Sequence, residues 1–244
     1  MKRYFRFLFG LASVTFLHAS EKPNVLFVIS DDLNYTLSGL GHHECKTPNL
    51  DEFAKSAVSF TKAYTQFPLC GPSRAAIMTG QYSSKNGVGK NGGNVDPNRV
   101  TMPKHFQNHG YWSARVSKIY HMGIPGDIIQ GTNGGDHGAS WNERYNTPAM
   151  ESMTPGKIVD YLNPDDPNVF PKEREIWKTA FAEGKPYKMV KQARSQYAVI
   201  EVADKDTGLM ADTMAADKAM ELLQQRAEDT QPFFLAVGFV RPHF

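Results

Sequence analysis

Two apolar runs lie near opposite ends of the 244-residue chain: Asn24-Val-Leu-Phe-Val-Ile-Ser30 and Pro232-Phe-Phe-Leu-Ala-Val-Gly-Phe-Val240. Neither alternates apolar with polar residues, as a strand with one wet face would. Such runs suit central strands of a sheet covered on both faces. Each ends in polar, chemistry-bearing residues, Asp31-Asp32 after the first and Arg241-Pro242-His243 after the second. In open α/β sheets, ligand sites lie outside the C-terminal ends of such strands.

The stretch between them alternates strand and helix signals, which predicts an α/β protein with a large, mostly parallel sheet flanked by helices. A helix is expected from Thr47-Pro48, with Leu50, Phe53, Ala54 and Ala57 on one face. Val58 to Tyr64 reads as a strand, and a helix follows from Pro72. Met102 to His109 reads as a short helix stopped by Gly110, leading into a strand through Val116. Residues 127–200, rich in Asn, Asp, Gly, Pro and Lys, read as a long insertion of the kind that shapes substrate pockets. Residues 209–228 carry a helical apolar pattern through Met210, Met214, Ala219, Leu222 and Leu223. The chain has 41% hydrophobic and 21% charged residues, ordinary for a globular domain. Its net charge of +2, without basic blocks, gives no basis for nucleic-acid binding.

The densest chemistry lies in Pro68-Leu-Cys70-Gly-Pro72-Ser-Arg74-Ala-Ala-Ile-Met-Thr-Gly80. Proline costs nothing at a first helical position. A helix starting at Pro72 leaves Cys70 just outside the positive end of its dipole, where an anion meets free N–H groups. Arg74 follows one turn later and can present its planar fork to an oxyanion or to residue 70. A small buried cysteine before a core helix is the plainer alternative.

Asp31-Asp32 at a strand end places two carboxylates side by side, which repel unless a cation lies between them. Oxygen ligands favour a hard ion, Ca²⁺ or Mg²⁺; turn capping is the alternative. In Gly110-Tyr-Trp-Ser-Ala-Arg-Val-Ser117-Lys118-Ile-Tyr120-His121, an extended chain puts Lys118 and Tyr120 on one face. His121 joins Lys118 only if the chain turns there, and Met122-Gly-Ile-Pro-Gly126 is a plausible turn. Alone, Lys118 would read as solvated and His121 as a loop residue.

The Cys70 string resembles the signature of the formylglycine-dependent sulfatases, and residues 110–121 resemble the family's second signature, with Ser117 where glycine is usual. The Asp31-Asp32 pair and His243 occur in family order around them. Lys118-Ile-Tyr-His121, Phe233 to Gly238 and Pro242-His243 resemble the iduronate-2-sulfatase-like branch. The resemblance covers the N-terminal part of an alkaline-phosphatase-like fold, apparently truncated at the C-terminus.

It implies a sulfuric ester hydrolase acting on a sulfated carbohydrate or related ester. Cys70 would be converted by a formylglycine-generating enzyme to an aldehyde, whose hydrate attacks sulfur. Arg74, Lys118, His121 and His243 would be the other catalytic residues. Asp31, Asp32 and residue 70 would hold a divalent metal, calcium ahead of magnesium. Further metal ligands, a second lysine and further strands are expected beyond Phe244, so these residues alone are expected to aggregate and to lack turnover. Phosphate or phosphonate monoester hydrolysis on the same superfold is the alternative activity, and a non-catalytic relative that binds sulfated glycans is the alternative class.

Residues 1–20 have Lys2, Arg3 and Arg6, an apolar stretch from Leu8 to Leu17, then His18-Ala19-Ser20, the layout of a secretory signal peptide and too short for a membrane span. Residues 21–244 are then the catalytic portion, secreted or periplasmic, or lysosomal in a eukaryote. Cys45 and Cys70 could pair in an oxidising compartment. A disulfide would block conversion of Cys70, so Cys45 is expected to be a bystander and His42-His-Glu-Cys45 a surface loop. Gly87-Val-Gly-Lys-Asn-Gly92 matches a dinucleotide fingerprint but lacks its strand-to-helix context, and reads as a loop.

Overall fold

A computed structural model describes residues 22–42, 45–124, 126–148, 157–161 and 198–242. Its elements in chain order are β1 (Val25–Ser30), α1 (Pro48–Ala54), α2 (Cys70–Thr79), α3 (Ser83–Asn86), α4 (Met102–Asn108), β2 (Trp112–Ser117), α5 (Gly126–Gln130), β3 (Glu143–Tyr145), β4 (Lys157–Tyr161), β5 (Ala198–Glu201), α6 (Ala211–Arg226) and β6 (Phe233–Phe239). The main sheet is parallel, in the order β1-β6-β2-β3. The expected signal peptide and His243 lie outside the described residues.

β6 runs between β1 and β2 and explains the uninterrupted apolar text of its sequence. Phe233, Leu235 and Val237 face α6, packing with Ala215, Ala219 and Leu222 and with Trp112, Ala114 and Val116 of β2. Phe234 and Ala236 point the other way, into a cluster with Ala75 and Met78 of α2, Ile119, Tyr120 and Trp141. A period of two thus distributes an all-apolar strand over two cores. Here the expectation of a parallel sheet flanked by helices is met.

Two local expectations are not met, and a third, the helix from Thr47-Pro48, is met as α1 without packing of its apolar face. Residues 58–64 form no strand; Val58, Phe60 and Tyr64 are 80–83% exposed. A strand needs a neighbouring edge to satisfy its ladder, and among the described residues none lies beside this segment. Leu50 and Phe53 of α1 are likewise exposed, so its apolar face covers nothing described. Finally, α2 begins at Cys70 and not at Pro72, with Leu69 as its N-cap. Proline is tolerated there because the first four helical residues have no intrahelical use for their N–H groups. Gly80, at φ 63°, ends the helix in the left-handed conformation that glycine adopts without a Cβ penalty.

Part of the stretch expected as an insertion belongs to the core. Trp141 packs in the α2-side cluster, β3 extends the main sheet beside β2, and β4 and β5 form a separate antiparallel pair. β1 and β3 are the edge strands of the main sheet, and Leu26 and Val28 of β1 are about half exposed.

Candidate active site

Asp31 follows β1 directly, and its amide still donates to Phe239 O (3.1 Å), so the ladder carries it one residue past the strand. Cys70 opens α2 beside it. The thiol Sγ lies 3.6 and 3.9 Å from the two Asp31 oxygens and 3.5 Å from His121 Nδ1. Arg74, one turn along α2, sets its Nη2 3.0 Å from Asp31 Oδ1, while Lys118 Nζ donates to Asp31 Oδ2. Asp31, Arg74 and Lys118 are all buried.

A buried carboxylate is raised in pKa by desolvation. Here Arg74 and Lys118 outweigh that effect and hold Asp31 below the ordinary carboxylate range. The pKa of His121 is lowered by burial first, then by Lys118 and Arg74, against weaker opposing pulls from Asp31 and Asp127. Its imidazole is therefore neutral near pH 7 and able to accept a proton. Two cations face one carboxylate, so the buried cluster of contacting side chains carries surplus positive charge. That surplus, beside the N-terminus of a ten-residue helix, suits an anion.

Backbone geometry brings Lys118 and His121 together. The strand ends at Ser117, whose φ of 58° breaks the extended path. Lys118 then points to Asp31, Tyr120 into the core, and His121 to Cys70. Arg74 also donates from Nη1 to Lys118 O (2.7 Å) and Ile119 O (2.9 Å), fixing the turn from below. Asp127 accepts from Gly123 N at 2.5 Å and closes the segment after His121.

Of the residues expected at the site, Asp31, Cys70, Arg74, Lys118 and His121 come together. Asp32 is exposed, in the left-handed conformation (φ 63°), and is joined to none of them by a hydrogen bond or ion pair. Cys45 and Cys70 are both free thiols. A cavity of about 600 Å³ lies on another face of α2, lined by Tyr64, Ser73, Ile77 and Tyr82 among others, and includes none of these residues.

Three contributors escaped the sequence reading. Asn91, from the loop set aside as a false dinucleotide fingerprint, accepts from Gly71 N (2.8 Å) and caps α2 from outside the helix. Asp212 on α6 accepts from Val240 N (2.6 Å) and Arg241 N (3.0 Å), holding the exit of β6. Gly238 of β6 is required by close approach: a Cβ there would lie 1.9 Å from Lys118 O. A glycine inside an apolar strand is a readable sign of such an approach.

The carboxylates of Asp31 and Asp32 are hard oxygen donors, the right kind for a divalent cation such as calcium. Both Asp31 oxygens already face cationic side chains, and among the described residues no three acidic, histidine or cysteine side chains are placed to hold a metal ion between them. The donors thus fit such an ion in chemistry and need further oxygen ligands to complete its shell.

The architecture is an alkaline-phosphatase-like α/β fold. A structure of Ps i-CgsB in complex with k-i-k-neocarrahexaose superposes with a TM-score of 0.60 at 23% identity, over 91% of this chain and 46% of that one. The phosphonate monoester hydrolase of Agrobacterium radiobacter gives 0.58 at 22% identity, over 91% and 42%. The Sulfatase family model matches residues 23–244, and the chain belongs to that family. Among its relatives, a sulfatase of Formosa agariphila is 33% identical over 91% of this chain and 39% of its own length. Human iduronate 2-sulfatase is 26% identical over 92% and 36%. The chain therefore spans little more than a third of the length of these relatives.

Proposed function

We propose that these residues form the nucleophile-bearing part of a sulfuric ester hydrolase in which Cys70 acts as formylglycine. The observation that carries this reading is the convergence of Cys70, Arg74, Lys118 and His121 around one buried carboxylate, with positive charge in excess, in a chain of the sulfatase family. A sulfate ester is an anion whose charge shifts toward the leaving oxygen as the S–O bond breaks, and fixed cations stabilise that shift.

In this reading one hydroxyl of the residue-70 aldehyde hydrate gives up its proton to solvent and attacks sulfur as the ester S–O bond breaks, and the departing alcohol takes a proton from His243. Lys118 neutralises the sulfate oxygens and Arg74 orients residue 70. His121, neutral before the reaction, takes the proton of the second hydroxyl as the C–O bond to sulfate breaks; the aldehyde returns and water rehydrates it. Asp31, Asp32 and residue 70 would hold a divalent ion, calcium ahead of magnesium. When bound, it supplies positive charge to the sulfate and nucleophile oxygens.

The relatives support a sulfated carbohydrate as the substrate class: iduronate 2-sulfatase and the complex of Ps i-CgsB with k-i-k-neocarrahexaose both favour it. Phosphonate monoester hydrolysis is the second reading, favoured by the Agrobacterium radiobacter structure. A secreted or periplasmic location and maturation by a formylglycine-generating enzyme belong to the same proposal. Among the described residues no helix is long and apolar enough to cross a membrane.

Paired assays on an aryl sulfate and the corresponding phosphonate ester, using a full-length protein containing these residues, matured at Cys70, and its Cys70→Ala variant, test the proposal. Sulfate turnover that exceeds phosphonate turnover and vanishes in Cys70→Ala supports it. Turnover that survives in Cys70→Ala overturns it.

A further inference from the structure

Arg115 lies in β2, two residues before Ser117, and only 1% of it is exposed. A buried guanidinium needs both charge compensation and acceptors for its five donors. Asp136 supplies the charge, accepting from Nε at 2.8 Å, and is itself held by Trp141 Nε1 (3.0 Å) and His137 N (2.9 Å). Asn133 Oδ1 accepts from Nη2 at 2.8 Å. Nη1 is shared among Asn146 Oδ1 (2.9 Å), Tyr145 O (3.4 Å) and Ser117 O (3.1 Å). The last contact reaches the residue whose left-handed backbone turns the chain so that Lys118 meets Asp31.

We infer that Arg115 is a positioning residue for Lys118, acting through the Ser117 carbonyl, and that Asp136, Asn133 and Asn146 exist as its mount. The inference rests on the proposed role of Lys118. The Ser117–Lys118 turn is gripped on both sides: Arg115 holds the carbonyl of Ser117, and Arg74 holds those of Lys118 and Ile119. Arg74 itself touches Asp31, so its grip cannot be separated from the charge cluster. Arg115 makes no contact with Asp31, Cys70 or His121, so its effect on chemistry passes through the turn. A left-handed serine is an unfavoured conformation that persists when its surroundings over-determine it, and Arg115 is one of the groups that do so.

Lysine at position 115 keeps the charge opposite Asp136 but loses the planar fork that spans Asp136, Asn133 and Ser117 O together. The test is a double-mutant cycle in kcat on a full-length protein containing these residues, matured at Cys70, with Arg115→Lys, Lys118→Ala and the combination, assayed on an aryl sulfate. Arg115→Lys should lower kcat by roughly ten- to a hundredfold, the range in which a small misplacement of a catalytic group acts. In the Lys118→Ala background it should cost within about twofold, because the group it positions is gone. A merely structural role would give the same loss in both backgrounds and would overturn the inference while leaving the proposed function intact. If Lys118→Ala alone leaves kcat unchanged, the proposed role of Lys118 fails and the inference falls with it.

Should Arg115→Lys fail to fold, Arg115→Gln/Asp136→Asn removes both buried charges and retains an amide oxygen at 136 for Trp141 and His137. That pair is expected to melt near the wild-type temperature with kcat still reduced. Wild-type kcat in it would overturn the inference.

Discussion

Lys118 pairs with Asp31 across an intervening strand. The two residues follow β2 and β1, which are not neighbours, and β6 runs between them with Gly238 in register with both Ile29 and Ser117. The pair can form because Gly238 has no side chain, since a Cβ there would overlap the Lys118 backbone. The charge cluster is thus built from three strand ends and the first turn of α2, and each part constrains the others.

Gly238→Ala should therefore be the most damaging single-methyl change in the sheet. The obstructing atoms are backbone, held by Arg74 and by the strand, and cannot rotate away. The expected loss is about 3 kcal/mol or more, at the upper end for overpacking. Urea unfolding measures it; a loss below about 1 kcal/mol would mean that the Lys118 turn relocates easily.

Ser117→Gly should act in the opposite direction. Serine stands where the family signature has glycine, its φ is 58°, and its buried Oγ has no hydrogen-bond partner among the described residues. Glycine relieves both penalties and gives back part of the gain through greater freedom in the unfolded chain, for a net stabilisation of about 1 kcal/mol. A thermal melt that moves downward instead would show that the hydroxyl contributes more than its geometry indicates.

Stability should fall through two acid windows, one for each group. The pKa of His121 is lowered in the fold, so below its ordinary value of 6.5 the unfolded chain takes up a proton first, and stability drops as pH falls from there toward the folded value. The carboxyl of Asp31 is held low, so its contribution is present above its ordinary value of 3.8 and is lost as pH falls through the lower folded value. His121→Gln should flatten the first window and leave the second. A pH–stability curve with an unchanged slope below 6.5 in that variant would contradict the assignment.

Much of this was legible before any coordinates. β1, β2, β6 and α6 are visible because each must bury a continuous run or a helical stripe, and that need is written locally. Cys70, Arg74, Lys118, His121 and Asp31 carry their chemistry in short motifs. What stayed hidden depends on partners distant in the chain. The sequence sets Asp31 beside Asp32 but does not show that Arg74 and Lys118 face its carboxylate in space. Residues 58–64 have strand composition, yet no edge among the described residues receives them. Asn133, Asp136 and Asn146 resemble loop filler until Arg115 is placed among them.

Divalent-ion binding offers a check independent of turnover. If Asp31 and Asp32 contribute ligands, calcium must draw on a carboxylate that now faces Lys118 and Arg74, and Asp32→Asn should weaken calcium binding measured by calorimetry while leaving the Lys118 pair in place. Unchanged affinity in Asp32→Asn would remove that residue from the metal site.

The central claim is that residue 70 works as an aldehyde and not as a thiol. Mass analysis of the peptide containing Cys70, after co-expression with a formylglycine-generating enzyme, tests it most directly. The account predicts an aldehyde at that position, with sulfate-ester hydrolysis lost in Cys70→Ala. A persistent thiol, with Cys70→Ala still hydrolysing sulfate esters, would contradict it.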